Sequence, residues 1–185
     1  MDLRPNPRLF PPMEKGGSGF FDLATRTGWA YGHPGVLPSC GVFDLKGSAE
    51  DGTLYAALYE CVCDFIEWHK PTRLYAEAPL SPQGTKSNMN AWLILIGMVG
   101  VVRCVGAQYG LRVRLMNLSK IRSDVLSGLP WNQKQKNGKK PVVEQWCADQ
   151  GIFTPDHNAA DAVVGLEHSL RLFSRKGFAR DLAQP

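Results

Sequence analysis

The chain has 185 residues, of which 44% are hydrophobic, 10% aromatic and 21% charged. This is enough for one compact domain that buries roughly 70% of its unfolded surface, and it excludes disordered, collagen-like and coiled-coil chains. The net charge of +4 conceals an asymmetry: nine basic residues lie between Arg103 and Lys140 against Asp124 alone, while the remainder holds twelve basic and sixteen acidic residues. An acidic body with one basic segment points to a polyanionic partner, although a solvated lysine-rich loop would give the same run of charge.

Residues 1–17 are rich in Pro and Gly and predict an irregular leader without the apolar run of a signal peptide. Phe20–Ala24, Thr27–Tyr31 and Gly41–Leu45 read as three short strands, hence an antiparallel meander. Leu54, Leu58, Val62, Phe65 and His69 recur at helical spacing and predict a helix over 51–69, stopped by Pro71. Arg73–Ala78 predicts a strand that ends at Pro79. Residues 87–109 predict a long apolar helix in which Gly97, Gly100 and Gly106 allow close packing. Its most apolar stretch, 91–105, carries Arg103 and is short for a membrane span of roughly 20 residues, so no membrane association is expected.

Leu111–Met116 alternates apolar and basic residues, as a strand with one exposed face would. Ser119–Ser127 and Pro141–Asp149 read as shorter helices around the basic loop LPWNQKQKNGKK. A last helix is predicted over Asn158–Phe173, followed by a polar tail at 175–185. The order βββ-α-β-α-β-α-α-α predicts an α/β domain over 18–174. It would hold a mixed five-stranded sheet, an antiparallel meander plus parallel strands, flanked by helices. Five cysteines (Cys40, Cys61, Cys63, Cys104 and Cys147) supply no second close pair for a zinc site and read as reduced thiols of a cytoplasmic protein.

Three carboxylates stand out because each lies among apolar residues, where an unpaired charge is costly. Asp22 is in the first strand, Glu77 ends the fourth, and Asp161 falls in the first turn of the last helix. If the two strands are neighbours their carboxylates converge, and the last helix can bring Asp161 across from above. Clustered carboxylates repel one another unless they bind cations, and hard oxygen donors suit Mg²⁺ or Mn²⁺. Two such ions about 3.5–4 Å apart activate water and stabilise the leaving oxygen in phosphodiester cleavage. Each residue also has a purely structural reading: Asp22 as a turn cap, Glu77 as the partner of a nearby Lys or Arg, Asp161 as a helix-dipole anion.

Three segments carry a resemblance. Asp22–Ala30 (DLATRTGWA), Tyr75-Ala-Glu77 and Asn158-Ala-Ala-Asp161-Ala are similar, in order and over about residues 18–172, to the motifs of RuvC-type Holliday junction resolvases. These belong to the RNase H-like (retroviral integrase) superfamily and include a phage-borne branch. The resemblance implies an RNase H-like fold, with Asp22, Glu77 and Asp161 as ligands of two Mg²⁺ (or Mn²⁺) ions. Asn158, three residues before Asp161 and on the same helical face, takes the fourth ligand position. Many relatives carry Asp or His there, and Asp156 or His157 just upstream are alternatives.

The resemblance further implies that Lys120 and Lys140, with Lys139 as an alternative, contact the scissile region, and Arg122 is a further DNA-binding candidate. Lys134 and Lys136 would track a phosphate backbone, and Trp131 beside them could stack on a base. Leu80 sits where some relatives carry an aromatic wedge, with Lys86 beyond it.

The activity implied is that of a metal-dependent endodeoxyribonuclease that cuts a four-way junction symmetrically, leaving 5′-phosphate and 3′-hydroxyl ends, in recombination, repair or phage DNA processing. Two cuts need two sites and so a homodimer, for which the helix over 87–109 is the expected surface. Other readings are an RNase H-like nuclease on other branched DNA or RNA, and a non-catalytic junction-binding module. The strand-turn-strand around Asp22 also resembles the phosphate loop of actin-like ATPases, but 185 residues leave no room for their second domain.

Overall fold

A computed structural model describes residues 16–45, 51–79, 89–127 and 140–181. Strands β1 (Ser18–Asp22), β2 (Arg26–Gly32), β3 (Ser39–Asp44), β4 (Arg73–Glu77) and β5 (Val113–Met116) form one sheet in the order β3-β2-β1-β4-β5. β2 runs antiparallel to both β1 and β3, while β4 is parallel to both β1 and β5. The helices are α1 (Asp51–His69), α2 (Met89–Gln108), α3 (Leu118–Val125), α4 (Lys140–Asp149) and α5 (His157–Asp181). The meander with appended parallel strands is therefore the expected mixed sheet, and the element order is the expected one.

Strand alternation distributes the core between two faces. Phe21, Trp29, Tyr31, Leu74, Ala76 and Val113 point to one side and pack with α1 and α2. Phe20, Ala30 and Tyr75 point to the other, where α3, α4 and α5 cover them. Because β1 is covered on both faces, Phe20 and Phe21 are both fully buried. The same period of two sends Asp22 to the face of Phe20 and Glu77 to the face of Tyr75, so both carboxylates look toward α5.

Of the two longest helices, α2 falls within the predicted 87–109 and α5 runs past its predicted end. α2 has 20 residues, a length and composition that would by themselves suffice to cross a membrane. It buries Met98, Val99, Val102, Val105 and Gly106 against α1 and the sheet and leaves Met89, Leu93 and Ile96 exposed. α5 continues past Phe173 to Asp181, since a single Gly costs a helix only about 1 kcal/mol and no proline intervenes. All five cysteines are free, and burial pushes Cys40 and Cys61 up to about 11 and Cys147 up to about 12, which leaves these three poor nucleophiles.

α1 ends on an unusual core residue. Lys70 takes a left-handed φ of 48° and Pro71 follows, so the helix stops with His69 buried. The His69 ring stacks on Tyr31 at 4.6 Å and lies 4.7 Å from Phe65, and its Nδ1 has no hydrogen-bond partner. Burial lowers its pKa from 6.5 to about 4. The unfolded chain therefore takes up this proton first, and stability is lost as pH falls from about 6.5 toward 4. The loss should approach roughly 3 kcal/mol at pH 4, at 1.36 kcal/mol per unit. Urea titrations across this range should show that component in the wild type and not in His69→Phe; equal slopes in the two proteins would refute it.

Candidate active site

The site lies at the carboxyl ends of β1 and β4, where β1 has an antiparallel neighbour on one side and a parallel one on the other. Ligand crevices in α/β sheets form at such changes of strand sense. Phe21 pairs with Ala76 across the parallel ladder, so the next residues, Asp22 and Glu77, meet. The Asp22 and Glu77 carboxyls lie within hydrogen-bonding reach of each other. Burial holds Asp22 well above the ordinary carboxylate range; the Glu77 hydrogen bond and charge, then Asp161, push it further, and only Arg122 opposes them. Burial also raises Glu77, with Asp161 adding to it, while the Asp22 hydrogen bond and Arg122 pull it back. The pair thus favours a shared proton, because the sheet and helices strip away the water that would solvate two charges.

α5 delivers the third carboxylate, and one glycine sets how closely. Asp22 pairs with Gly28 across the antiparallel ladder, and α5 crosses directly above that glycine. A Cβ on Gly28 would lie 2.0 Å from the Asn158 carbonyl oxygen and 2.8 Å from the Ala159 nitrogen. Backbone therefore rests on backbone, which only glycine permits. The helix begins at His157, so Asp161 lies one turn inside it rather than in its first turn. It is only 3% exposed.

Arg122 supplies the countercharge. Its Nε donates to Asp161 Oδ1 at 2.8 Å and its Nη2 donates to Asp161 Oδ2, a two-pronged grip from α3 onto α5. Burial works against the guanidinium's charge, but the attraction of Asp161, Asp22 and Glu77 outweighs it and raises its pKa. Arg122, a DNA-contact candidate from the sequence, is thus paired with Asp161. Leu118, Ile121 and Val125 form the buried stripe of α3, and residue 122 falls at the margin of that stripe, against α5. That helical position was legible in the sequence, whereas the partner was not.

Asp156 also has an occupation other than the one weighed from the sequence. Its Oδ1 accepts the N–H groups of Asn158 and Ala159, both at 3.0 Å, which makes it the N-cap of α5. Its Oδ2 takes the Arg26 guanidinium at 2.9 Å. With both oxygens engaged, Asp156 anchors the helix that carries Asn158 and Asp161. His157 is the first residue of α5 and half-buried. A cavity of about 540 Å³ lies beside Asp156, next to the exposed Phe153, but Asp22, Glu77 and Asp161 are not among its walls.

Among the basic candidates, Lys120 is exposed on α3, where its N–H caps onto Asn117 Oδ1 at 3.1 Å. Lys140 is the first residue of α4. Leu80, Lys86, Trp131, Lys134, Lys136 and Lys139 lie outside the described residues.

Among the described residues, no group of three or more His, Cys, Asp or Glu side chains forms a ready metal cage. The contacts give the reason: Asp161 is turned onto Arg122, and Asp22 and Glu77 are tied to each other. The donor chemistry nevertheless fits a hard divalent cation, since three carboxylates face one another and the cation now among them is a guanidinium.

No family model and no curated protein sequence matches the chain. Solved structures do. The RuvC structure from Thermus thermophilus aligns with a TM-score of 0.62 at 12% identity, covering 87% of this chain and 96% of that one. T. thermophilus RuvC in complex with a Holliday junction substrate aligns at 0.58 and 12% identity, over 88% and 96% of the two chains. The yeast mitochondrial Holliday junction resolvase Ydc2 aligns at 0.59 and 11% identity, over 93% and 86%. With five strands in this order, helices on both faces and carboxylates at the ends of β1 and β4, the chain has the RNase H-like fold of the RuvC-type resolvases.

Proposed function

We propose that this protein is a metal-dependent, structure-selective endonuclease that resolves four-way DNA junctions. The observation that carries the reading is the convergence of Asp22, Glu77 and Asp161 on one face of a fold shared with junction resolvases. Asp22, Glu77, Asp161 and Asn158 would hold two Mg²⁺ or Mn²⁺ ions. When bound, such ions supply Lewis-acid activation of water and neutralise charge on the departing oxygen. The chain's own contribution is to bury the carboxylates, fix the spacing of α5 above β1 through Gly28, and keep Arg122 ready as a countercharge. Arg122, which pairs with Asp161, would be the cation beside these ligands and could offer its guanidinium to a phosphate. Lys120 and Lys140 would hold the DNA backbone near the cut, with Lys134, Lys136, Lys139, Lys86 and Leu80 in the loops around them.

Symmetric resolution needs two sites, and the exposed apolar residues Met89, Leu93 and Ile96 of α2 are the surface through which a second copy would dock. One observation favours a second reading. Asn158 is uncharged and Asp161 already has a cation, which would suit a module that binds junctions without cutting them.

A strand-labelled four-way junction incubated with Mg²⁺ or Mn²⁺ separates the readings. Paired cuts at symmetric positions, with 5′-phosphate ends and little cleavage of duplex or single strands, are expected. Cutting of all branched substrates alike would point to an unselective nuclease, and binding without cutting to the non-catalytic module.

A further inference from the structure

We infer that an arginine-lined cavity at the β4–β5 edge is a second phosphate-binding site, which holds the backbone of a nucleic acid arm leading away from the carboxylates. The cavity, about 570 Å³, lies between β4, β5 and the later turns of α5, and its walls include Arg73, Arg112 and Arg114 and no acidic residue.

Strand register puts these arginines on the face that matters. Tyr75 pairs with Arg114 and Leu74 with Val113, and Arg73 and Arg112 come immediately before those two positions. Val113 and Leu74 point to the α1–α2 core, which sends Arg73, Arg112 and Arg114 to the other side, the side of Tyr75 and Glu77. Met116 shares that side, where Ser169 of α5 bonds to its sulfur. Arg73 and Glu77 are therefore residues i and i+4 of one strand on one face. At about 3.3 Å per residue they lie roughly 13 Å apart.

Guanidinium forks match phosphate oxygens two at a time, so a phosphodiester backbone is the polyanion that fits three arginines lining one cavity. The inference rests on the nuclease reading only for the route from the cavity to Glu77. A simpler role for the same residues is to blunt an edge strand against self-pairing.

The test is binding without metal, so that nothing is cut. A fluorescent 20-base-pair duplex and a four-way junction are titrated with the wild type and with Arg112→Gln/Arg114→Gln, at several salt concentrations. Two lost phosphate contacts should weaken binding of both probes roughly 10- to 60-fold near 0.1 M salt, and reduce the slope of log K against log salt by about 1.8. Unchanged melting temperature would show that the variant is folded. Wild-type affinity and slope in the variant overturn the inference, as does a wild type that binds neither probe. Unchanged affinity together with new self-association would assign these arginines to edge protection. Cleavage is scored separately in Mg²⁺: a protein that binds through these arginines but never cuts keeps this site and loses the nuclease reading.

Discussion

Asp22→Asn is expected to melt a few degrees above the wild type in the absence of metal and to cut no junction. Asp22 is a buried carboxylate facing Glu77 and Asp161, with burial itself the largest force against its charge. An amide of the same shape removes that penalty and can still donate to Glu77. A gain of about 1–2 kcal/mol is expected, or roughly 2–8 °C for a chain of this size. Cleavage should fall by roughly 10³-fold or more, equivalent to about 4 kcal/mol of transition-state stabilisation. Thermal melts with and without Mg²⁺ provide the second readout. The ion should raise the wild-type melting temperature and have little effect on the variant. Arg122→Gln should move the metal-free melt downward, because it leaves Asp161 buried without its countercharge. An Asp22→Asn protein that melts below the wild type, or that still cuts, would exclude Asp22 from the site.

Gly28→Ala should damage both stability and activity, and for a steric reason. The added methyl would sit 2.0 Å from the Asn158 carbonyl oxygen, and neither partner can swing aside, since both are backbone in regular structure. The first turn of α5 would have to lift from β2, carrying Asn158 and Asp161 away from Asp22. A loss of about 3 kcal/mol is expected, at the upper end of overpacking costs, lowering the melting temperature by roughly 6–12 °C. At a temperature where the variant remains folded, cleavage should still fall at least tenfold, because the carboxylates no longer converge. Gly52→Ala is the control: nothing lies within 4 Å of its Cβ, and alanine in α1 should be neutral or stabilising by up to about 1 kcal/mol. A Gly28→Ala protein with wild-type melting and cutting would mean that α5 does not need this contact.

Sequence alone determined what depends on local period. The spacing of Leu54, Leu58 and Val62 specified α1, and Pro71 its end. The order of strands and helices specified a mixed sheet with helices on both faces. Asp22, Glu77 and Asp161 were recognisable because a carboxylate inside an apolar run needs a reason to be there. What local period cannot reach is which groups meet across the fold. The Arg122–Asp161 grip spans 39 positions and the Arg26–Asp156 pair spans 130. Both depend on how α3 and α5 seat on the sheet, which the sequence around Arg122 and Asp156 does not report. The role of Gly28 emerged only with α5 in place, since nothing in a TGWA segment tells how near a distant helix will come. The arginines of β4 and β5 share a face with Glu77 only through parallel register, which pairs residues about 40 apart in the chain. Periodicity assigns each side chain to a face of its own element. Which charge it then meets is decided by non-local packing, because burial and proximity set electrostatic energies far more than residue type does.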